Sequence, residues 1–292
     1  MLLIGGCPGP LPRPDGAEPD KATALPIPQG ISVKEGTLTS RFGCTFGYRL
    51  YQPGEPASDH LVIIGHGFLR SQDQMTGLAV AAAAAGMPAA TIDYCNSRPW
   101  RGGHRRNADD MIRLADVLEA PQVVYAGFSA GALSAVVAAR NDPRASGVLA
   151  LDLVDTQQIG RRAVRGLDMP LIGLQGELTN CNARGNGEVV FRIAPQARLQ
   201  RIEGAGHCDF EAPSDPLCRL VCQDPTPDGP ALNRTIIAAA VQDLRSLAMG
   251  ERPGEGRASD QAATGPDRTY SAGSADPDAS RKASMLDGFG TT

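Results

Sequence analysis

"VVYAGFSAGALSAVVAA", residues 123–139, joins two different patterns through one serine. "VVYA" is a short apolar run of the kind that forms a strand buried on both faces. The stretch after Ser129 is free of proline and rich in small residues that a helix accommodates well. Between them lies Gly-x-Ser-x-Gly, from Gly127 to Gly131. In the order strand, motif, helix, the glycines permit a sharp turn that lifts the serine hydroxyl above the sheet at a helix N-terminus. A side chain at either glycine would crowd the neighbouring strand or helix. Read this way, Ser129 is a nucleophile. The competing reading is a small residue in a packing turn; the flanking strand and helix patterns favour the nucleophile.

Outward from this stretch, strand and helix signals alternate. "TFGYRLYQP" (45–53), "HLVIIGHG" (60–67) and "PAATIDY" (88–94) read as strands. "TGLAVAAAAAGM" (76–87) reads as a helix whose small residues allow close packing on a sheet. "NADDMIRLADVLEA" (107–120) is amphipathic, with Met111, Leu114, Ala115 and Leu118 on one face. After a helix from Ala130 to about Arg140 come three strand signals, "GVLALDLVD", "MPLIGLQGE" and "ARLQRIEGAGH", and a closing helix, "ALNRTIIAAAVQDLRSLA". Apolar runs alternating with helices argue for an α/β fold: a mostly parallel sheet with helices on both faces. Residues 8–30 are rich in Pro and Gly and read as a tether, and residues 250–292 lack apolar periodicity and read as a disordered tail. The expected domains are a leader at 1–30, a catalytic domain at 31–249 and the tail at 250–292.

Composition narrows the function classes. The chain has 292 residues, 42% of them hydrophobic, and a net charge of −4. No basic stripe points to nucleic acid, and no apolar run is long enough to span a membrane. Aromatic residues make up only 4%, too few for a base-stacking platform. Cys7 follows "MLLIGG", which reads as the end of a lipoprotein signal. Lipidation of Cys7 would anchor the chain to a membrane, and the expected location is exported, with the cytoplasm as the alternative. Setting Cys7 aside leaves six cysteines, an even number that suits disulfides in an oxidising compartment.

A serine hydroxyl needs a base. The chain has four histidines. His60 precedes a strand and reads as a loop residue, and His104 sits in the Arg-rich "RPWRGGHRRN", which reads as a solvated rim. His66 follows an early strand in "IIGHGFLRS" and reads as a support for that loop. His207, in "GAGHCDF" after the last strand, is the expected general base. The orienting carboxylate stays open among Asp152 at the end of "VLALD", Glu177 after "LIGLQGE", and Asp155, with Asp152 preferred. The expected oxyanion donors are the backbone N–H groups of Phe68 and Ala130. Phe68 and Trp100 are the candidates for an apolar acyl or aromatic subsite.

The order "HGF", "GFSAG", acid, "GAGH" resembles that of the α/β-hydrolase superfamily over residues 60–248. "GHGFLRS", "IDYCNSRPW" and "GAGHCDF" are similar to the secreted polyester hydrolases of the cutinase type, whereas "LALDLVDTQ" resembles the chlorophyllase-like branch and lipases whose acid follows this strand. In the polyester-hydrolase pattern the acid lies a few residues after "PLIGL", where this chain has Thr179. The resemblance implies a Ser–His–Asp carboxylic ester hydrolase working through an acyl-enzyme. The short "TQQIGRRAVRGLDM" leaves no room for a lid domain, which implies a site open to bulky or polymeric esters. Thioesterase, peptidase and a non-catalytic binding protein of the same fold are the alternatives.

Four cysteines cluster in sequence around the loops that flank this site. Cys181 with Cys208 and Cys218 with Cys222 are the expected pairs, and Cys44 with Cys95 needs proximity that sequence does not supply. A zinc site built from these cysteines and His207 would lack tight Cys-x-x-Cys spacing and would disarm the serine. No metal and no cofactor are therefore expected.

Overall fold

The computed structural model describes residues 25–95, 103–224 and 229–251. Its centre is an eight-stranded sheet. The strands are β1 (Ile31–Thr39), β2 (Thr45–Pro53), β3 (His60–Gly65), β4 (Ala89–Ile92), β5 (Gln122–Phe128), β6 (Ala145–Leu151), β7 (Leu171–Gln175) and β8 (Ala197–Arg201). Their order in the sheet is β1-β2-β4-β3-β5-β6-β7-β8. β1–β2 and β2–β4 pair antiparallel, and every other neighbouring pair is parallel.

Strand sequence explains the layering. Along β5, Val123 and Tyr125 face one core, and Val124, Ala126 and Phe128 face the other. β3 divides likewise, Leu61 and Ile63 against Val62 and Ile64. This is the period-two signature of a strand buried on both sides. The first core takes Met111 and Leu114 of α2 (His104–Val117) and Ala132, Ala135 and Val136 of α3 (Ala130–Asn141). The second takes Leu78 and Ala82 of α1 (Thr76–Ala84) and Ile236, Ala240 and Leu244 of α7 (Gly229–Ala248). Shorter helices α4 (Ile159–Ala163), α5 (Glu188–Ile193) and α6 (Pro216–Cys222) follow β6, β7 and β8 in the chain, and Val190 and Phe191 of α5 join the first core, with Ile159 and Ala163 of α4 packed against it.

β1 is absent from the apolar pattern of the sequence because it is a largely exposed edge strand, with most of its residues in water. α6 is missed for another reason: seven residues are too few to show a helical period, and its buried face consists of cysteines.

The glycines of the motif set the spacing of β5, α3 and β3. A Cβ on Gly131 would come within 2.3 Å of the Gly65 carbonyl oxygen, and one on Gly127 within 2.4 Å of the Gly131 carbonyl carbon. Both obstacles are backbone and cannot rotate away. Gly131→Ala is therefore expected to cost at least about 2–3 kcal/mol, read as a lower urea midpoint at unchanged slope.

Candidate active site

In a parallel sheet the carboxyl ends of neighbouring strands emerge along one edge, and the segments after β3, β5, β6, β7 and β8 build this site. Ser129 follows β5 and caps α3 with φ 55° and ψ −115°. A non-glycine residue in that region carries about 1–3 kcal/mol of strain. The strained turn is held from one side, where the Ser129 N–H donates to Leu151 O at 2.8 Å.

Asp152 follows β6 directly and also has positive φ, 42°. Its N–H donates to Leu174 O at 2.7 Å. Its carboxylate is fully buried, so the charge needs donors in place of water. Gly176 N–H gives one at 3.2 Å to Oδ1, and Asn182 Nδ2 gives contacts at 3.3 and 3.2 Å to the two oxygens. His207 supplies the shortest: Nδ1 to Asp152 Oδ2 is 2.6 Å. A carboxylate accepts, so Nδ1 carries the proton and Nε2 is left as the basic nitrogen. His207 begins a short 3-10 helix, His207–Phe210, and its ring lies 4.6 Å from that of Phe128. Asp224 fixes the start of the turn, accepting from His207 N at 3.2 Å and Cys208 N at 2.6 Å.

The two other carboxylates have different partners. Asp155 accepts from Gly160 N at 2.7 Å and pairs with Arg161 at 3.2 Å, so it serves the start of α4. Glu177 accepts from Gly204 N at 3.0 Å and ties the β7 loop to the β8 loop.

Ser129 and His207 line one cavity of about 300 Å³, together with Phe68, Leu69, Leu217 and Val221. Phe68 and Leu69 belong to the loop after β3, and Ala130 opens α3, where its N–H has no intrahelical acceptor. His66 is buried in that loop: Nδ1 lies 2.8 Å from Gly67 O, and the ring packs 4.6 Å from Tyr94. Burial lowers its pKa and keeps it neutral. His60 begins β3 beside Ser58, away from the cavity. Trp100 and Cys7 lie outside the described residues.

His104 corrects the sequence reading. It is not on a solvated rim but begins α2 and is 7% exposed. His104, Asn107, Ala108 and Met111 are all buried, because the apolar stripe of α2 starts a full turn earlier than its hydrophobic residues indicate. The ring bonds the backbone of Ala130, and burial lowers its pKa.

Two disulfides differ from expectation: Cys181 pairs with Cys222 and Cys208 with Cys218. Cys44 and Cys95 are near enough to pair, with Cα atoms 5.9 Å apart, and do so. Cys218 and Cys222 lie one turn apart on α6, where Cβ atoms stand about 5–6 Å apart. A disulfide requires about 3.5–4.5 Å. Each therefore takes a partner from a different loop: Cys208 sits next to His207, and Cys181 next to Asn182. The sulfurs of Cys208, Cys218 and Cys222 all lie within 4.8 Å of one another, and all three are bonded in disulfides rather than free as thiolates.

Arg70 joins the loop after β3 to the His207 segment. Its Nε lies 3.0 Å from Glu211 Oε1 and its Nη1 2.8 Å from Asp215 Oδ2, and Asp215 caps α6. Asn182 and the outer residues of α6 carry no motif that marks them in sequence; the one usable signal is the placing of Cys181 and Cys222 beside them. Arg70 stands within "GHGFLRS", but nothing in that stretch indicates its carboxylate partners.

No protein-family model matches the chain, and no curated protein matches it in sequence. Solved structures do match. A cold-adapted esterase from an Arctic intertidal metagenomic library, 17% identical, superposes with a TM-score of 0.57 over 74% of this chain and 95% of its own. An alpha-beta serine hydrolase homologue from Coxiella burnetii, 13% identical, gives 0.57 over 72% and 97%. The esterase domain of a Rhodothermus marinus protein, 14% identical, gives 0.52 over 72% and 98%. Together with the sheet order, these likenesses define the architecture: the chain has the α/β-hydrolase fold.

Glu211 gives this region a pH dependence. Burial, the largest influence, pushes its carboxyl up to about 7 against the pull of Arg70. A carboxyl with a raised folded pKa contributes stability below its unfolded value, near 4.5, that is lost as pH rises through about 7. Glu211→Gln removes that loss. Its stability relative to the native chain is expected to improve by about 3 kcal/mol between pH 4.5 and pH 8, measured by urea denaturation at both.

Proposed function

We propose that this protein is a serine hydrolase that cleaves carboxylic esters through an acyl-enzyme. The observation that carries the proposal is the 2.6 Å bond from His207 Nδ1 to the buried Asp152, with Ser129 on a strained turn in the same cavity.

Ser129 Oγ attacks the acyl carbon while His207 Nε2 takes its proton. Asp152 holds the tautomer and stabilises the imidazolium, remaining ionised itself. The carbonyl electron pair moves to oxygen, where the N–H groups of Ala130 and Phe68 receive the developing charge. Collapse expels the alkoxide, which takes the proton from Nε2. Water, deprotonated by the same nitrogen, then releases the acid and restores Ser129.

The cavity wall supports an apolar acyl group and a bulky or polymeric ester. Phe68, Leu69, Leu217 and Val221 all line it and are all exposed at its mouth, Leu217 and Val221 at 60% and 69%. Leu178 and Leu220 extend the exposed apolar surface on the neighbouring loop and on α6. Among the described residues the one cation on the wall is Arg70, and it is paired with Glu211 and Asp215, which does not favour an anionic substrate. Three disulfides among the described residues favour an oxidising location, and we place the enzyme outside the cytosol. No described helix is long and apolar enough to cross a membrane.

Hydrolysis of para-nitrophenyl esters of increasing chain length tests the reading. Ser129→Ala is expected to lose about 10⁴–10⁶ in kcat, and Asp152→Asn about 10⁴. Glu177→Gln and Asp155→Asn should stay near the native rate. Native-level turnover by Ser129→Ala would defeat the proposal.

A further inference from the structure

Asp152 leaves its strand in a left-handed conformation, and the strand cannot aim the carboxylate by itself. The aim comes from the loop after β7. Asn182 is fully buried there, and every polar atom of its carboxamide is engaged. Its Oδ1 accepts from Thr179 N at 2.9 Å and from Gly185 N at 3.3 Å. Its Nδ2 donates to Glu177 O at 2.7 Å and reaches both oxygens of Asp152. The amide has only one sensible orientation. Flipping it would set its oxygen against a carboxylate and a carbonyl, and its NH₂ against two N–H donors. Asn182 is also the residue after Cys181, whose disulfide to Cys222 secures the loop to α6.

We propose that Asn182 is a positioning residue: it holds the Asp152 carboxylate for His207 and, through that carboxylate, sets how readily His207 takes a proton. This rests on the reading of Ser129, His207 and Asp152 as the reacting set. The electrostatic argument has a definite sign. The positive end of the amide points into the Asp152–His207 pair and shares the carboxylate charge. Without it, the carboxylate attracts the imidazolium more strongly. A base protonated over more of the working range is then less available at neutral pH.

Three single variants are compared with the native full-length chain. Asn182→Leu replaces the amide by an apolar side chain of similar size. Asn182→Ala is read in parallel, in case leucine unfolds the loop. Thr179→Val disturbs the same loop by removing only the 3.4 Å contact from Asn182 N to Thr179 Oγ1. The first readout is the NMR titration of the His207 imidazole signals, assigned with His207→Gln. The second is the pH profile of kcat/KM on a para-nitrophenyl ester. In both Asn182 variants the imidazole is expected to titrate at higher pH, by up to about one unit. The acid limb of kcat/KM should move with it, turnover at pH 7 should fall about 10- to 100-fold, and part should return at higher pH. Thr179→Val should move neither. An unmoved imidazole titration in the folded Asn182 variants, or an equal shift in Thr179→Val, overturns the proposal. Failure of the ester reading is separately visible: Ser129→Ala would retain turnover, while the imidazole titration still decides the role of Asn182.

Discussion

The rest of the site depends on how the last rungs of the parallel ladder are closed. Ser129 N–H donates to Leu151 O, Asp152 N–H to Leu174 O, and Ile202 N–H to Gln175 O, at 2.8, 2.7 and 2.7 Å. Each bond locks the residue leaving one strand to the end of the next. Ser129, Asp152 and the approach to His207 are therefore spaced by strand geometry, about 4.8 Å per step, rather than by loop packing. Both Ser129 and Asp152 leave their strands with positive φ. Strain of this kind persists only where the surroundings over-determine it. Here the surroundings are the two-sided core of β5 and β6, together with glycines at 127 and 131 that leave no other spacing for α3.

A second constraint sits above that edge. α6 turns two cysteines inward and Leu217, Leu220 and Val221 outward. Cys218 fastens the loop of His207, and Cys222 fastens the loop of Asn182. One short helix thus holds both sides of the Asp152–His207 pair and walls the cavity with its outer residues. Seven residues would not be stable as an isolated helix. Closing the ten-residue separation between Cys208 and Cys218 contributes about 3 kcal/mol in the chain-entropy account. Arg70 adds the third side by bridging to Glu211 and to the cap of α6.

Much of this was legible in the sequence, for reasons that also explain the rest. The strands of the central sheet announce themselves because burial on both faces demands unbroken apolar runs. The edge strand β1 does not, since water covers most of it. The turn at Ser129 is readable because close backbone contact admits only glycine at 127 and 131. The carboxylate is not readable in the same way. Asp152, Asp155 and Glu177 all follow strands that end at one edge, and only their partners in space separate them: His207 and Asn182 for Asp152, Gly160 and Arg161 for Asp155, and Gly204 for Glu177. His104 is not readable as buried because a polar residue on the buried stripe of α2 looks like solvent-facing sequence. The two pairs around α6 are not readable because the spacing of Cys218 and Cys222 suits a bridge in a loop but not in a helix.

The central claim is that Ser129 is made nucleophilic by a histidine that a buried aspartate holds in one tautomer. The most direct measurement is labelling of the native chain with a fluorophosphonate, with the adduct located by mass spectrometry and its rate compared in variants. One phosphonyl group on Ser129, formed orders of magnitude more slowly in Asp152→Asn and His207→Gln but at the native rate in Glu177→Gln, is the predicted result. No adduct, or an adduct that survives Ser129→Ala, would contradict the account.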